Sequence, residues 1–174
     1  MSTVTQFGRE RLLGAMLEEM EQLTERLTSR ARDRWATAGE EWPRRIWAGL
    51  EALLEELAAE PRMARLAIRG FPSAGAEVRA RYLAFVEGFV PLLREGREFS
   101  GMAEELPAEV EMLAIGAAEA IVFEEIEAGR AGQLPALGPE ILFSVLVPFL
   151  GPDAASAEMQ RASAEMEGGE LEAA

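Results

Sequence analysis

The 174 residues contain no cysteine, no histidine, no lysine and no asparagine. Without cysteine there is no thiolate nucleophile, no thiolate metal ligand and no disulfide. Without histidine there is no imidazole ligand, and no side chain whose ordinary pKa lies near neutrality. All 17 basic residues are arginine, so no amine is available for Schiff-base chemistry. A serine nucleophile would lack a base, a phosphate loop would lack its lysine, and a di-iron bundle would lack its Glu-x-x-His. Catalytic residues, cofactors and metal sites are therefore not expected, and the chain is not read as an enzyme.

Aromatic residues are also scarce, at 7%, and the apolar half of the chain is mostly Leu, Ala, Val and Ile. With Glu and Arg supplying the polar face, helix formers dominate and strand formers have little to work with. The formal net charge of −14 and a pI near 4.5 argue against general electrostatic binding of DNA or RNA. The longest apolar run, near Ile141, is about half of the ~20 residues a spanning helix needs. MSTVTQFGRERLLG carries no apolar signal core. No membrane partner and a cytoplasmic location are the expectation.

The pattern along the chain predicts one all-α domain over 7–155, preceded by a disordered 1–6 and followed by a polar, partly disordered tail over 156–174. Leu13, Met16, Met20, Leu23 and Leu27 recur three or four apart and mark an amphipathic helix from about Phe7 to Trp35, with a heptad coiled coil as the alternative. Pro43 opens a second helix whose inner face is Ile46, Leu50, Leu53, Leu54 and Leu57. Pro61 opens a short third, with Met63, Leu66 and Ala67 inward, which stops at Gly70. A fourth runs from about Ala76 to Arg97 with Val78, Tyr82, Phe85, Val86, Phe89 and Leu93 inward, and Pro91 predicts a kink within it. In the tail, a short helix over Ala154 to Met166 is compatible with the composition.

Pro107 to Leu150 reads as two helices joined by AGQLPALG. Both are apolar over too much of their circumference for a surface helix with a single buried stripe. A helix apolar on two sides packs against its own core and against something else. The expectation is a hairpin that pairs with a second copy, with Leu113, Ala117, Ile121, Ile141, Val145, Leu146 and Phe149 at the interface.

Two features suggest a ligand site. Glu119 lies within LAIGAAEAIVF, where a buried charge needs a partner, a pocket or water. It is one half of an ion pair, a hydrogen-bonded interface group, or the anionic wall of a pocket suited to a cationic or donor-bearing molecule. Trp35, Trp42, Trp47, Phe71, Tyr82, Phe85 and Phe89, with Met63 and Met112, are either solid core or the lining of an apolar pocket between the second, third and fourth helices. The adjacent carboxylate pairs, such as Glu55-Glu56 and Glu124-Glu125, point about 100° apart on a helix and read as solvated faces.

Four strings in order, LEALLEELAAEPRMARL, VPLLREGRE, LPAEVEMLAIGAAEAIVFEEIEAGR and LPALGPEILFSVLVPFLG, give the chain a resemblance over about Phe7 to Ala155. It resembles the C-terminal ligand-binding and dimerisation domain of TetR/AcrR-type transcriptional regulators. The likeness lies in a small-residue-rich helix ending near I-x-x-G, followed by L-x-x-L-x-P-E-L and a terminal P-[FY]-L-G. It implies a homodimer whose closing helices form a four-helix bundle, an apolar effector pocket in the middle helices, and repression released by that effector. In the family, ligand-driven movement is relayed to an N-terminal helix-turn-helix that holds operator DNA. Phe7 to Leu13 looks like the last trace of that head and no recognition helix precedes it, so DNA is expected as a partner only if an upstream helix-turn-helix exists. A headless binding protein that pairs with other regulators, and a plain helical interaction module, are the alternatives.

Overall fold

The computed structural model describes residues 3–67, 75–101 and 103–173, and among them the chain is all-helical with no strand. Helix α1 (Thr3–Thr37) is a single 35-residue rod, longer than the seam alone suggests. It lies against α2 (Trp42–Ala59), which opens with Pro43 in its first turn, where the missing N–H costs no helical bond. Between them, Glu41 is in extended backbone and Gly39 has φ +91°, so the reversal takes only four residues. Helix α3 (Pro61–Arg65) follows, again opened by proline.

The expected fourth helix is broken rather than kinked. Helix α4 (Ala76–Glu87) stops, Gly88 and Phe89 form a turn, and α5 (Val90–Arg94) begins anew, running into a 3₁₀ segment over Glu95–Phe99. Pro91 has no N–H to give the Glu87 carbonyl, and its ring would crowd that carbonyl. Instead Phe89 donates its backbone N–H to the Val86 carbonyl, and Leu92 and Leu93 both take the carbonyl of Phe89. The proline thus becomes the first turn of a new helix.

Helix α6 (Val110–Glu127) and α7 (Gly138–Leu150) form the anticipated hairpin, joined by two 3₁₀ turns over Ala131–Gln133 and Pro135–Leu137. Gly151, at φ +77°, then turns the chain into α8 (Pro152–Ala173). That last helix is a structural member. It packs along α7, and Ala155 and Ala162 sit fully within the core with Met166 against it. Arg161 and Arg44 tie α8 to α2 through Glu41 and Glu165. The expected polar tail after 155 is therefore helix up to Ala173, well beyond the short segment the composition suggests.

Helix α2 is central, with α1 on one side and α7 on the other. One core centres on Trp42, which meets Phe149 edge-on at 5.4 Å, stacks on Phe99 at 5.8 Å, and donates its indole N–H to the Leu92 carbonyl at 2.8 Å. Gly96 makes this possible, because a Cβ there would lie 2.4 Å from the Trp42 ring. A second cluster joins Leu54 and Ala64 to Ile126, Leu134 and Ile141. A third joins the α1 seam of Met20, Leu23 and Leu27 to Val78.

Two buried carboxylates are held by arginine. Glu111 receives Arg97 on both oxygens, at 2.6 and 3.0 Å, while Arg97 also donates to the Pro107 and Ala108 carbonyls. Arg30 and Arg26 on α1 clasp Glu56 on α2. Each pairing answers the cost of burying a lone carboxylate.

Candidate functional site

A cavity of about 610 Å³ lies between α1, α2, α4, α5 and α6. That volume falls in the range of pockets for small organic ligands. Its walls are Leu27, Ala31 and Trp35 from α1, Leu50, Leu53 and Leu57 from α2, and Tyr82, Phe85 and Phe89 from the broken helix. Ile115, Ala118, Glu119, Val122 and Phe123 of α6 close the other side. By comparison, a cleft between α2, α7 and α8 beside Trp47 holds only about 10 Å³, which is at the limit for one water.

The space has a local cause. Ala31, Gly49, Ala64, Ala67 and Ala118 stand at inward positions where larger residues would otherwise meet. The α4–α5 break turns Phe85 and Phe89 edge to face at 5.1 Å, so both rings remain half-buried along the wall. Arg45 lies over the Trp35 ring at 4.2 Å and fixes that indole at one end. Ala120 and Phe123 are exposed, which brings the cavity to the surface beside α6.

Apart from the Trp35 indole, the polar side chains of the wall are Tyr82 and Glu119. The Tyr82 hydroxyl donates a hydrogen bond to Glu119 Oε1, linking α4 to α6 across the cavity. Burial, followed by the hydrogen bond to Glu119, pushes the Tyr82 phenol well above its ordinary range, so it stays protonated as a donor. Among the described residues no arginine pairs with Glu119. The described contacts make Glu119 a hydrogen-bonded group on the cavity wall rather than one half of an ion pair.

The expected ligand residues divide. Trp35, Tyr82, Phe85, Phe89 and Glu119 line the cavity together, while Trp42 is buried in the first core against Phe99 and Phe149. Trp47 does not line it either, because it is buried against α7, where a Cβ on Gly138 would come within 2.9 Å of its ring. Met63 packs into the α1 seam and Met112 is exposed, so neither reaches the wall. Phe71 lies outside the described residues. The sequence reading missed Leu27 and Ala31 of α1 and Ile115, Val122 and Phe123 of α6, whose regular spacing marked them only as core. The small residues facing inward were the available signal.

The expected interface residues divide as well. Leu113 is 63% exposed, and Ala117 is exposed beside it. Ile121 is partly buried against the second core cluster. Ile141 and Leu146 are 0% exposed, and Val145 and Phe149 are buried with them. These four α7 side chains are already covered within one chain by α2, α6 and α8, which corrects their assignment to a surface seam.

Among the described residues no group of three acidic side chains is arranged to hold a metal, and no helix is long and apolar enough to cross a membrane. Comparison of the chain with models of protein families, with curated proteins and with solved structures gives no match in any of the three.

Proposed function

We propose that this chain is a small-molecule-sensing helical domain of the TetR/AcrR type, binding an apolar or amphipathic effector and pairing with a second copy of itself. The observation that carries the reading is the 610 Å³ cavity, walled by aliphatic and aromatic side chains and marked by one hydrogen-bonded polar pair. Pockets that take small ligands combine this apolar lining with a few placed polar groups. The hairpin of α6 and α7, with the cavity built on the middle helices, is consistent with the resemblance in sequence.

Pairing is supported by α6, whose outer face carries exposed Met112, Leu113, Gly116, Ala117, Ala120 and Phe123. In this reading α6 makes the contact, while α7 supports it from behind. A net charge of −14 supports assigning any operator contact to a segment other than these helices.

The test is equilibrium binding of an uncharged, environment-sensitive dye. Micromolar binding with a blue shift is expected. Ala120→Trp, which places an indole at the rim of the cavity, is expected to weaken it at least tenfold while the helical signal and melting temperature hold. Absence of dye binding by the wild-type chain would remove the sensor reading and leave a plain interaction module.

A further inference from the structure

The cavity wall carries a sign as well as a shape. Glu119 brings a carboxylate into an otherwise apolar space, and among the described residues no cation answers it. One of its oxygens accepts the Tyr82 hydroxyl, and the other has no donor among the described residues. The phenol has a single proton, already given to Glu119, so it has none left for a ligand's anionic group. Among the described residues Trp35 offers the one other donor on the wall, and no arginine lines it.

We propose that the effector is a lipophilic cation, an amine or quaternary ammonium on an apolar body, with its charge beside Glu119 and its body among Leu50, Phe85, Phe89 and Ile115. This rests on the reading of the cavity as a ligand site and specifies the class of ligand. A cation would neutralise the carboxylate between largely apolar walls, where an ion pair counts for more than in bulk water. A ligand carboxylate would face Glu119 as a like charge between the same walls. Phe85, Phe89 and Phe123 on the wall are rings of the kind that attract a cation placed over their faces. The negative field of the whole chain draws cations toward the site.

Three probes of one shape decide it: 1-naphthylmethylammonium, 1-naphthylmethanol and 1-naphthylacetate, titrated by calorimetry at pH 7 and constant ionic strength. The cation is expected to bind at least tenfold tighter than the alcohol, and the acetate weaker than both. Glu119→Gln keeps an acceptor for Tyr82 and removes the charge. It is expected to bring the cation to within about twofold of the alcohol. Tyr82→Phe, which leaves the carboxylate in place, is expected to retain the preference. Glu124→Gln, on the exposed face of α6, is expected to retain it too.

Equal binding of cation and alcohol by the wild-type chain would overturn the proposal and leave the ligand site standing. So would a preference that survives Glu119→Gln, or one that Glu124→Gln erases equally, since either traces it to the general field. Failure of all three probes would overturn both readings.

Discussion

Tyr82 is the one tyrosine of the chain, so its ionisation can be followed by ultraviolet absorbance with no competing signal. Its folded pKa is raised, first by burial and then by the hydrogen bond to Glu119. The sign follows directly. A group whose folded pKa lies above its unfolded value adds stability below the unfolded value, near 10, and that contribution is lost as pH rises through the folded value. The native chain is expected to show no tyrosinate band at pH 11, and the band to appear together with loss of the helical signal. Glu119→Gln is expected to bring the onset down while the fold holds. A tyrosinate band growing in near pH 10 in the fully folded wild type would contradict the buried pair. At this scale the sequence was half legible. Glu119 stands out because its neighbours are apolar, but its partner lies 37 positions away on another helix, and no periodicity links the two. Arg97 and Glu111, 14 apart, were hidden for the same reason.

Among the elements, proline and glycine punctuation was the legible part, since Pro43 and Pro61 open helices as their fixed φ allows. Pro91 showed where a helix is disturbed, but whether the chain bends or restarts depends on Gly88, Phe89 and the packing of α5 against α6. Helix α7 misled for a different reason. Its all-round apolarity was read as demand for a second chain, whereas α8 meets that demand from within through a row of alanines too small to register as an apolar face. The unspent apolar surface is on α6. Its outer face places Leu113 and Phe123 at the ends and Gly116, Ala117 and Ala120 between them. In an antiparallel pair crossing near Ala118, Gly116 and Ala120 would face each other and let the two backbones approach, while Leu113 would meet Phe123 of the other helix at each end, which is a self-complementary arrangement. Leu113→Glu is expected to convert a dimer to monomer at micromolar concentration with little change in melting temperature, because the side chain already faces water. Leu146→Glu is expected instead to unfold the chain, since it would bury an unpaired charge. Sedimentation equilibrium with circular dichroism separates the two. A Leu113→Glu chain that sediments as a dimer would exclude this face.

At the scale of the whole molecule, an excess of fourteen acidic over basic residues means that folding gathers like charge, and the arginines are placed where that matters most. Glu111 is fully buried, and the hydrogen bonds from Arg97 hold its carboxyl below the ordinary value near 4.5 against the opposing effect of burial. Glu56 is held down in the same way, by Arg30 first and by Arg26 after burial is set against it. Both are groups with depressed folded pKa values. Their contribution is present in full above the unfolded value and is lost as pH falls through the folded one. These two contacts also join distant parts of the chain, α1 to α2 and the 3₁₀ segment to α6. Protonation therefore loosens the frame around the cavity as well as lowering stability. The melting temperature is expected to be nearly flat from pH 7 to 5 and to fall steeply below pH 4.5. Protonation also relieves the repulsion among the surface carboxylates, which acts in the opposite direction, so the net slope measures whether the buried pairs prevail. Glu111→Gln should lower the melting temperature at pH 7 and flatten the acid limb, because the variant has already lost what acid removes. A melting temperature that rises on acidification from pH 5 to 4 would mean that general charge repulsion outweighs the two buried pairs.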